Sequence, residues 1–310
     1  MDIEAVDPEL RPLLLKLPAL DNSKRLVRLL GRVGPRLMRE HRVEGVTTRW
    51  LRDGSVRVRV YRPDAAADGP GLLWIHGGGL VIGDARQDDR LCSETAGRLG
   101  ITVVSVRYRL APESPFPAAL DDVTAGWEWL QAHAAELGVD PARVVVGGES
   151  AGGGIAASLV QRLHDTSAVQ PVAQWLFAPM LDDRTAASRE LDGIDHWVWN
   201  NSANRFGWSA YLGREPGAAE LPDYAVPARR EDLTGLPPTW LYAADIELFH
   251  DEIVEYAGRL RRDGVDVTLE IVPGAVHGFE NWAATTAPAE RLLDHAREWL
   301  AATLGLRAAA

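Results

Sequence analysis

The fold is decided by Gly148-Glu149-Ser150-Ala151-Gly152, a short run in which a serine has a glycine two positions before it and another two positions after it. Residues 143–147 directly before the run, with three consecutive valines, predict a strand, and residues 153–163 directly after it predict a helix. A serine on such a sharp strand-to-helix turn exposes its hydroxyl from a strained backbone, and the crowding there requires small neighbours. We therefore interpret Ser150 as a nucleophile held on a turn.

Continuous apolar runs alternate with helical patterns on both sides of this turn. Such runs are typical of strands that are buried on both faces, and they cover residues 72–75, 101–106, 144–146, 172–177, 239–243 and 267–272. Helical patterns separate or follow them at residues 91–99, 123–130, 155–163, 248–262 and 291–300. The alternation predicts an α/β fold in which helices cover both faces of a mostly parallel central sheet.

Three segments do not follow this alternation of strand and helix patterns. Residues 46–61 predict an antiparallel hairpin that turns at Asp53-Gly54. Residues 1–44 carry helical patterns, with Leu26, Leu29 and Leu30 on one face. Residues 183–236 hold no strand run, but they contain three of the 11 tryptophans, Trp197, Trp199 and Trp208. We predict a single domain, residues 1–310, with a cap formed by about residues 1–44 and 183–236.

Composition and charge exclude several classes of function. The 310 residues are 46% hydrophobic and 25% charged, which is typical of a globular protein. A formal charge of −11 argues against a nucleic-acid partner, because phosphate binding needs clustered Lys and Arg. No apolar run reaches the ~18 residues of a membrane span, and the acidic N-terminus does not resemble a secretory signal. We therefore expect a cytoplasmic protein.

Two local features are interpreted as structural. Cys92 is the single cysteine, which excludes an intrachain disulfide and argues against a cysteine-based metal site. It lies in a helical pattern, and we predict a buried, inert thiol. Asp88 and Asp89, with the arginines around them, are predicted to form a solvated helix face.

A second motif, His76-Gly77-Gly78-Gly79, directly follows the predicted strand at residues 72–75. A serine that attacks a carbonyl creates an oxyanion, which needs preorganised backbone N–H donors. Gly78 and Gly79, together with Ala151 at the start of the helix, supply such donors. The alternative is a phosphate-binding loop, but no Lys or Ser/Thr stands where that loop needs one.

Ser150 also needs a general base, and His277 is the best-placed histidine. It lies just past the predicted strand at residues 267–272, at the carboxyl end where active sites of α/β proteins gather. His76 is better placed to brace its own loop. The remaining histidines lie in helical patterns or in the aromatic insertion: His41, His133, His164, His196, His250 and His295. The chain order serine, acid, histidine is that of the α/β-hydrolases.

The acid of the triad should follow the predicted strand at residues 239–243, which leaves Asp245 and Glu247. Either carboxylate could hold the imidazole tautomer and stabilise the imidazolium. Distance from the strand end slightly favours Asp245, but the chemistry of the residues does not decide between the two.

From about residue 43 to residue 300, the chain resembles the hormone-sensitive-lipase-like branch of the α/β-hydrolase esterases. Its motifs match His-Gly-Gly-Gly at residues 76–79 and Gly-Glu-Ser-Ala-Gly-Gly at residues 148–153. Further matching blocks lie at residues 108–113, 116–119, 121–122 and 208–213. In the family's acid block, counting back from Asp251-Glu252 puts Glu247 in the acid position. Most members carry Asp there, so a Glu is a departure.

The resemblance implies an α/β-hydrolase fold with a helical cap, and hydrolysis of short- to medium-chain carboxylic esters through an acyl-enzyme. It implies no metal and no cofactor, with a small ester molecule as the substrate. A lactonase or a formamidase would use the same triad, so both remain alternatives. A catalytically inactive small-molecule receptor belongs to a different class, and the presence of Ser150, His277 and a candidate acid argues against it.

Substrate contacts are predicted for Trp197, Trp199 and Phe279, because aromatic walls suit apolar substrates. Packing within the cap is the alternative for Trp197 and Trp199, and it is our interpretation of Trp208. Members of the family are often dimers, and a homodimer is an option that this sequence does not test.

Overall fold

The computed structural model of the chain describes residues 1–18, 21–64 and 68–306. Residues 19–20 of the predicted cap, and residues 65–67 and 307–310 of the predicted domain, lie outside the described residues. The strands are β1 (Val46–Asp53), β2 (Val56–Pro63), β3 (Gly69–Ile75), β4 (Thr102–Val106), β5 (Val139–Glu149), β6 (Gln174–Phe177), β7 (Thr239–Ala244) and β8 (Val267–Val272).

These eight strands form one sheet with the order β1-β2-β4-β3-β5-β6-β7-β8. β1 pairs with β2, and β2 with β4, in antiparallel register, whereas every pair from β4 to β8 is parallel. The predicted hairpin is confirmed, with Asp53 opposite Val56 across the turn. The predicted α/β fold with a mostly parallel sheet is therefore confirmed. Because β3, β5, β7 and β8 run in the same direction, the loops that follow them meet at one edge of the sheet.

The helices connect the parallel strands or precede and cap the sheet. They are α1 (Arg11–Leu14), α2 (Arg25–Leu37), α3 (Asp89–Leu99), α4 (Ala118–Ala132), α5 (Ala134–Leu137), α6 (Ala151–Thr166), α7 (Asp183–Ala187), α8 (Asn201–Leu212), α9 (His250–Arg262), α10 (Phe279–Trp282) and α11 (Ala287–Thr303). None of the helices in the described part of the chain has the length and apolar character needed to cross a membrane.

The core has two layers, one on each face of the sheet. Successive side chains of a strand point to opposite faces, so Leu73 and Ile75 of β3 join the layer formed with α4, α6 and α9. Leu72 and Trp74 join the layer formed with α3 and α11. The prediction that Cys92 is buried is confirmed, and burial raises the pKa of its thiol well above the ordinary value.

Aromatic rings dominate the second layer. The rings of Trp74 and Trp175 meet edge to face with centroids 5.7 Å apart, and Trp240 follows 6.3 Å from Trp175. The centroid of the Phe177 ring lies 5.6 Å from that of Trp74 and 4.9 Å from that of Trp240. Edge-to-face aromatic contacts add about 0.5–1.5 kcal/mol each beyond the area that they bury. This part of the tryptophan excess therefore stabilises the sheet, away from the cap.

The predicted solvated face at Asp88 and Asp89 is wrong, because both side chains are buried. Asp89 accepts hydrogen bonds from Arg59 Nε at 2.5 Å and from the Tyr61 hydroxyl at 2.6 Å. Asp88 accepts one from Trp74 Nε1 at 2.7 Å. Their partners come from β2 and β3, 14 to 30 positions earlier in the chain, so the local pattern of charges could not indicate burial.

Candidate active site

Ser150 lies between the end of β5 and the start of α6, on the tight turn that the sequence predicts. Its backbone is strained, with φ at 53° and ψ at −123°, and its N–H donates to the Phe177 carbonyl at 2.8 Å. A Cβ on Gly148 would lie 2.4 Å from the Gly152 oxygen, and one on Gly152 would lie 2.1 Å from the Ile75 oxygen. Only glycines fit both positions, so these glycines allow the chain to turn sharply enough to present the serine hydroxyl.

The His277 ring links the serine to a carboxylate. Its Nε2 lies 2.8 Å from Ser150 Oγ, and its Nδ1 contacts a carboxylate oxygen of Glu247. The ring packs edge to face on Phe249, with centroids 5.1 Å apart. His277 follows β8 in a loop, and Gly278 after it has a φ of 65°, in the left-handed region that favours glycine. The structure therefore brings the serine and the histidine together although 127 positions separate them in the chain.

Of the two candidate acids, only Glu247 reaches the histidine. Its Oε2 contacts His277 Nδ1, while its Oε1 accepts the Ala244 N–H at 3.0 Å. The Glu247 side chain is buried, whereas Asp245 is exposed. The position indicated by the family resemblance therefore contacts the imidazole, and the position slightly favoured by distance from the strand end does not.

The loop that contains Gly78 and Gly79 lies against the serine turn. A Cβ on Gly77 would lie 3.3 Å from the Ser150 Cβ and 3.1 Å from the Glu149 carbonyl oxygen. Gly78 and Gly79 both have positive φ, at 120° and 57°. Within the described part of the chain, neither of their N–H groups donates a backbone hydrogen bond. Ala151 is the first residue of α6, where N–H groups have no acceptor inside the helix.

His76 stabilises the loop that contains Gly78 and Gly79. Its Nδ1 lies 2.8 Å from the Gly77 carbonyl oxygen, and its ring stacks on Tyr108 with centroids 4.3 Å apart. The Tyr108 hydroxyl donates to the His76 carbonyl at 2.7 Å. Burial lowers the pKa of His76 to about 4, so its imidazole is neutral at physiological pH. A neutral, fully buried ring in these contacts suits a bracing role, as the sequence position indicates.

Three buried carboxyl groups lie behind the serine and histidine loops, a feature that the sequence patterns did not reveal. Glu149 precedes the serine and accepts a hydrogen bond from Asn281 Nδ2 at 2.6 Å. Glu280 follows the histidine by three positions and accepts one from the Tyr242 hydroxyl, and Asp88 approaches from the start of α3. Burial, reinforced by mutual repulsion, raises the pKa of Asp88 and Glu280 to about 7 each, and that of Glu149 well above its ordinary value.

The segment before α8 lies over the Gly78-Gly79 loop. A Cβ on Gly79 would lie only 2.0 Å from the Trp199 ring, and a Cβ on Gly207 of α8 would lie 2.7 Å from the Gly79 carbonyl oxygen. Trp199 and Trp208 are both buried, and Trp208 packs on Tyr211 with ring centroids 6.1 Å apart. Trp199 therefore lies next to the site, whereas Trp208 is buried beside Tyr211 of the same helix.

The other two predicted substrate contacts lie elsewhere. Phe279 is fully buried in the core layer with α3 and α11, with its ring edge to face on Tyr242 at 5.9 Å. We therefore correct its predicted role from substrate contact to core packing. Trp197 is partly buried and packs against the same layer. No cluster of three or more potential metal ligands occurs among the residues that the structure describes.

The chain is similar to known proteins both in sequence and in fold. A family profile described as alpha/beta hydrolase fold matches residues 72–281. The chain is 36% identical over 235 residues to the carboxylic ester hydrolase LipN of Mycobacterium tuberculosis, covering 74% of this chain and 62% of LipN. It is 35% identical over 244 residues to an ethyl acetate hydrolase of Pseudomonas putida, covering 74% and 73% respectively. A bacterial heroin esterase structure superposes with a TM-score of 0.89 at 38% identity, covering 97% of this chain and 99% of that one.

These matches identify the class of protein: the chain belongs to the α/β-hydrolase family. More particularly, the three relatives described above are a carboxylic ester hydrolase, an ethyl acetate hydrolase and an esterase, as their names state. The predicted resemblance to hormone-sensitive-lipase-like esterases is confirmed, and so is the prediction of an enzyme that acts on carboxylic ester bonds.

Proposed function

We propose that the chain hydrolyses carboxylic esters with short- to medium-length acyl groups, with Ser150 as nucleophile, His277 as general base and acid, and Glu247 as the triad acid. The observation that carries this proposal is the continuous chain of contacts from Ser150 Oγ through both nitrogens of His277 to the buried Glu247 carboxylate. Such a chain, with a nucleophile, a base and a group that orients the base, defines covalent serine catalysis on many folds.

The reaction begins when His277 Nε2 takes the proton of Ser150 Oγ as that oxygen attacks the ester carbonyl carbon. The tetrahedral intermediate then collapses, the bond to the leaving oxygen breaks, and His277 gives its proton to the departing alcohol. Ser150 now carries the acyl group as an ester. Water deprotonated by His277 attacks this acyl-enzyme, and the acid leaves while Ser150 recovers its proton.

The oxyanion formed in each half of the reaction would be held by the N–H groups of Gly78, Gly79 and Ala151. Removal of one such donor typically costs about 2.7–4 kcal/mol of transition-state stabilisation. The close packing of the Gly78-Gly79 loop on the serine turn supports this assignment, because donors preorganised on a rigid loop need no rearrangement during the reaction.

Glu247 would keep the histidine in the productive tautomer, with its proton on Nδ1, and would stabilise the imidazolium while His277 holds the transferred proton. The carboxylate is itself oriented by the Ala244 N–H at the end of β7. The two oxygens of this one carboxylate therefore link the strand end to the imidazole.

Trp199 is the residue that we propose to limit the acyl group. Its ring lies directly over Gly79, beside the proposed oxyanion donors, and leaves little room there. An ethyl acetate hydrolase among the relatives acts on a small acyl group, as its name states. A crowded wall at this point supports a preference for short and medium acyl chains.

The test is to replace the nucleophile. We expect Ser150→Ala to keep its far-UV circular dichroism and its melting temperature, while its turnover of a short-chain nitrophenyl ester falls by at least about 10⁴-fold. The matched control is Ser158→Ala, which removes another buried hydroxyl from α6 away from the turn and should retain activity. Turnover by Ser150→Ala near the wild-type rate would overturn the proposal.

A further inference from the structure

Helix α2 presents its apolar face to the solvent. Leu26, Leu29, Leu30 and Leu37 are 66, 55, 62 and 80% exposed, and Val33 between them is half-buried. Their spacing places all five on one stripe of the helix, the side that a helix in a globular protein normally turns toward the core. We call the four exposed leucines the α2 stripe.

The opposite face of α2, which carries arginines, holds the helix on the protein. Arg32 donates to the carbonyl oxygens of Val81 at 2.8 Å and Ala111 at 2.7 Å. Arg28 is buried, with its guanidinium 5.2 Å from the centre of the Phe206 ring in α8. These contacts fix the orientation of the helix, so turning the α2 stripe inward would leave buried carbonyl groups without their donors.

This docking places α2 beside the Gly78-Gly79 loop. A Cβ on Gly31 would lie 3.0 Å from the Ile82 side chain, and the Gly83 N–H donates to the Gly31 carbonyl at 3.3 Å. The α2 stripe therefore lies on the outer side of the same helix whose inner side packs on the loop and on α8.

The charge of this segment is opposite to that of the whole chain. Residues 24–42 carry seven Lys and Arg side chains and a single carboxylate, Glu40, within a chain of formal charge −11. Four of these cations pair with carboxylates, namely Lys24, Arg32, Arg36 and Arg42, and Arg28 is buried. Arg25 at the start of the α2 stripe and Arg39 just beyond its end are exposed. Two copies of the chain meeting through this face would bring like charges together, whereas an anionic surface would complement them.

We propose that the α2 stripe docks the protein on a lipid surface that carries anionic headgroups. The leucines enter the boundary between headgroups and acyl chains, while Arg25 and Arg39 stay at the headgroup level. An apolar stripe flanked by cations is the arrangement that lets a helix lie in such an interface. This docking does not depend on the catalytic triad.

The test is co-sedimentation with vesicles of phosphatidylcholine, with or without phosphatidylglycerol. We expect the wild-type chain to bind the mixed vesicles, and added salt to weaken this binding. The variant Leu26→Ser/Leu29→Ser/Leu30→Ser should lower the partition coefficient at least about tenfold, because three apolar side chains no longer enter the lipid. Arg25→Gln/Arg39→Gln should lower it about fivefold per cation, and it tests the proposal even if the leucine variant fails to fold.

Two controls make the result specific. Val169→Ser removes an exposed apolar side chain outside α2, and it should bind like the wild type. Ser150→Ala should also bind like the wild type, which separates this proposal from the proposed function. Binding by neither vesicle type, or equal binding by the wild type and both α2 variants, would overturn the proposal. So would a dimer seen by sedimentation velocity that the leucine substitutions dissociate without any vesicle binding, because the occupant would then be a second copy.

Discussion

Glu247 uses its two carboxylate oxygens for two different partners. One accepts the Ala244 N–H and the other contacts the imidazole of His277, so the backbone at the end of β7 sets the position of the ring. Asp245 is two residues closer to the strand, but it is exposed and its N–H donates to the Val272 carbonyl. The choice between Glu247 and Asp245 depends on the direction in which each side chain leaves the end of β7. The chemistry of the two residues alone does not determine that direction.

We expect Glu247→Gln to keep the packing of the loop and to lower kcat by roughly 10⁴-fold, because the amide can favour the wrong imidazole tautomer. That magnitude is the one known for the corresponding aspartate substitution in a serine protease. Steady-state kinetics on a nitrophenyl ester measures it. Asp245→Asn is the matched control and should stay within about twofold of the wild type. If Asp245→Asn were inactive and Glu247→Gln active, Asp245 would be the triad acid instead.

Helices and strands could be predicted from the sequence where a local pattern of apolar residues determines them. The bounds of β8 agree with the predicted run at residues 267–272, and the helix after the serine continues to Thr166. Helix α2 shows the limit of such patterns. The leucines lie on one face, as the sequence predicts, but that face points outward, because the arginines of the other face find carbonyl groups and the Phe206 ring.

Trp199, in the segment before α8, offers a test of the proposed limit on acyl length. Trp199→Ala would clear the space over Gly79, so we expect the ratio of kcat/KM for a longer acyl chain to that for acetyl to rise at least about tenfold. The measurement is a series of nitrophenyl esters of increasing acyl length.

Trp208→Ala is the matched control for this measurement. Trp208 is buried and packs on Tyr211 within α8, so its loss should lower the melting temperature without changing the preference for acyl length. An unchanged preference in Trp199→Ala would contradict a role for this ring in limiting the acyl group.

At the scale of the whole molecule, the buried carboxyl groups make stability depend on pH. The pKa of Asp88 rises from 3.8 to about 7 in the folded chain, chiefly through burial. The folded state then holds a proton that the unfolded chain has already released, so the free energy of unfolding falls as the pH rises between these two values. Burial of Asp88 depends on β3 and on α10, so a local reading of the sequence could not predict it.

We therefore expect Asp88→Asn to melt at a higher temperature than the wild type above pH 7, and to differ little from it near pH 4. An amide oxygen can still accept the Trp74 N–H, and 1 kcal/mol corresponds to roughly 2 °C in a chain of this size. Thermal unfolding across this pH range measures the difference. Asp89→Asn should instead lower the melting temperature, since it leaves the buried Arg59 without its main partner, at a cost of about 3–5 kcal/mol. Equal pH dependence in the wild type and Asp88→Asn would contradict this account.

The aromatic cluster behind the sheet also has a spectroscopic consequence. Trp74, Trp175 and Trp240 hold fixed mutual angles, 65° for the first pair and 43° for the second, inside an asymmetric core. Indoles fixed in this way give an intense near-ultraviolet circular dichroism signal, which disappears when tertiary packing loosens even if helices and strands persist. The chain therefore contains its own optical probe of side-chain packing on this face of the sheet.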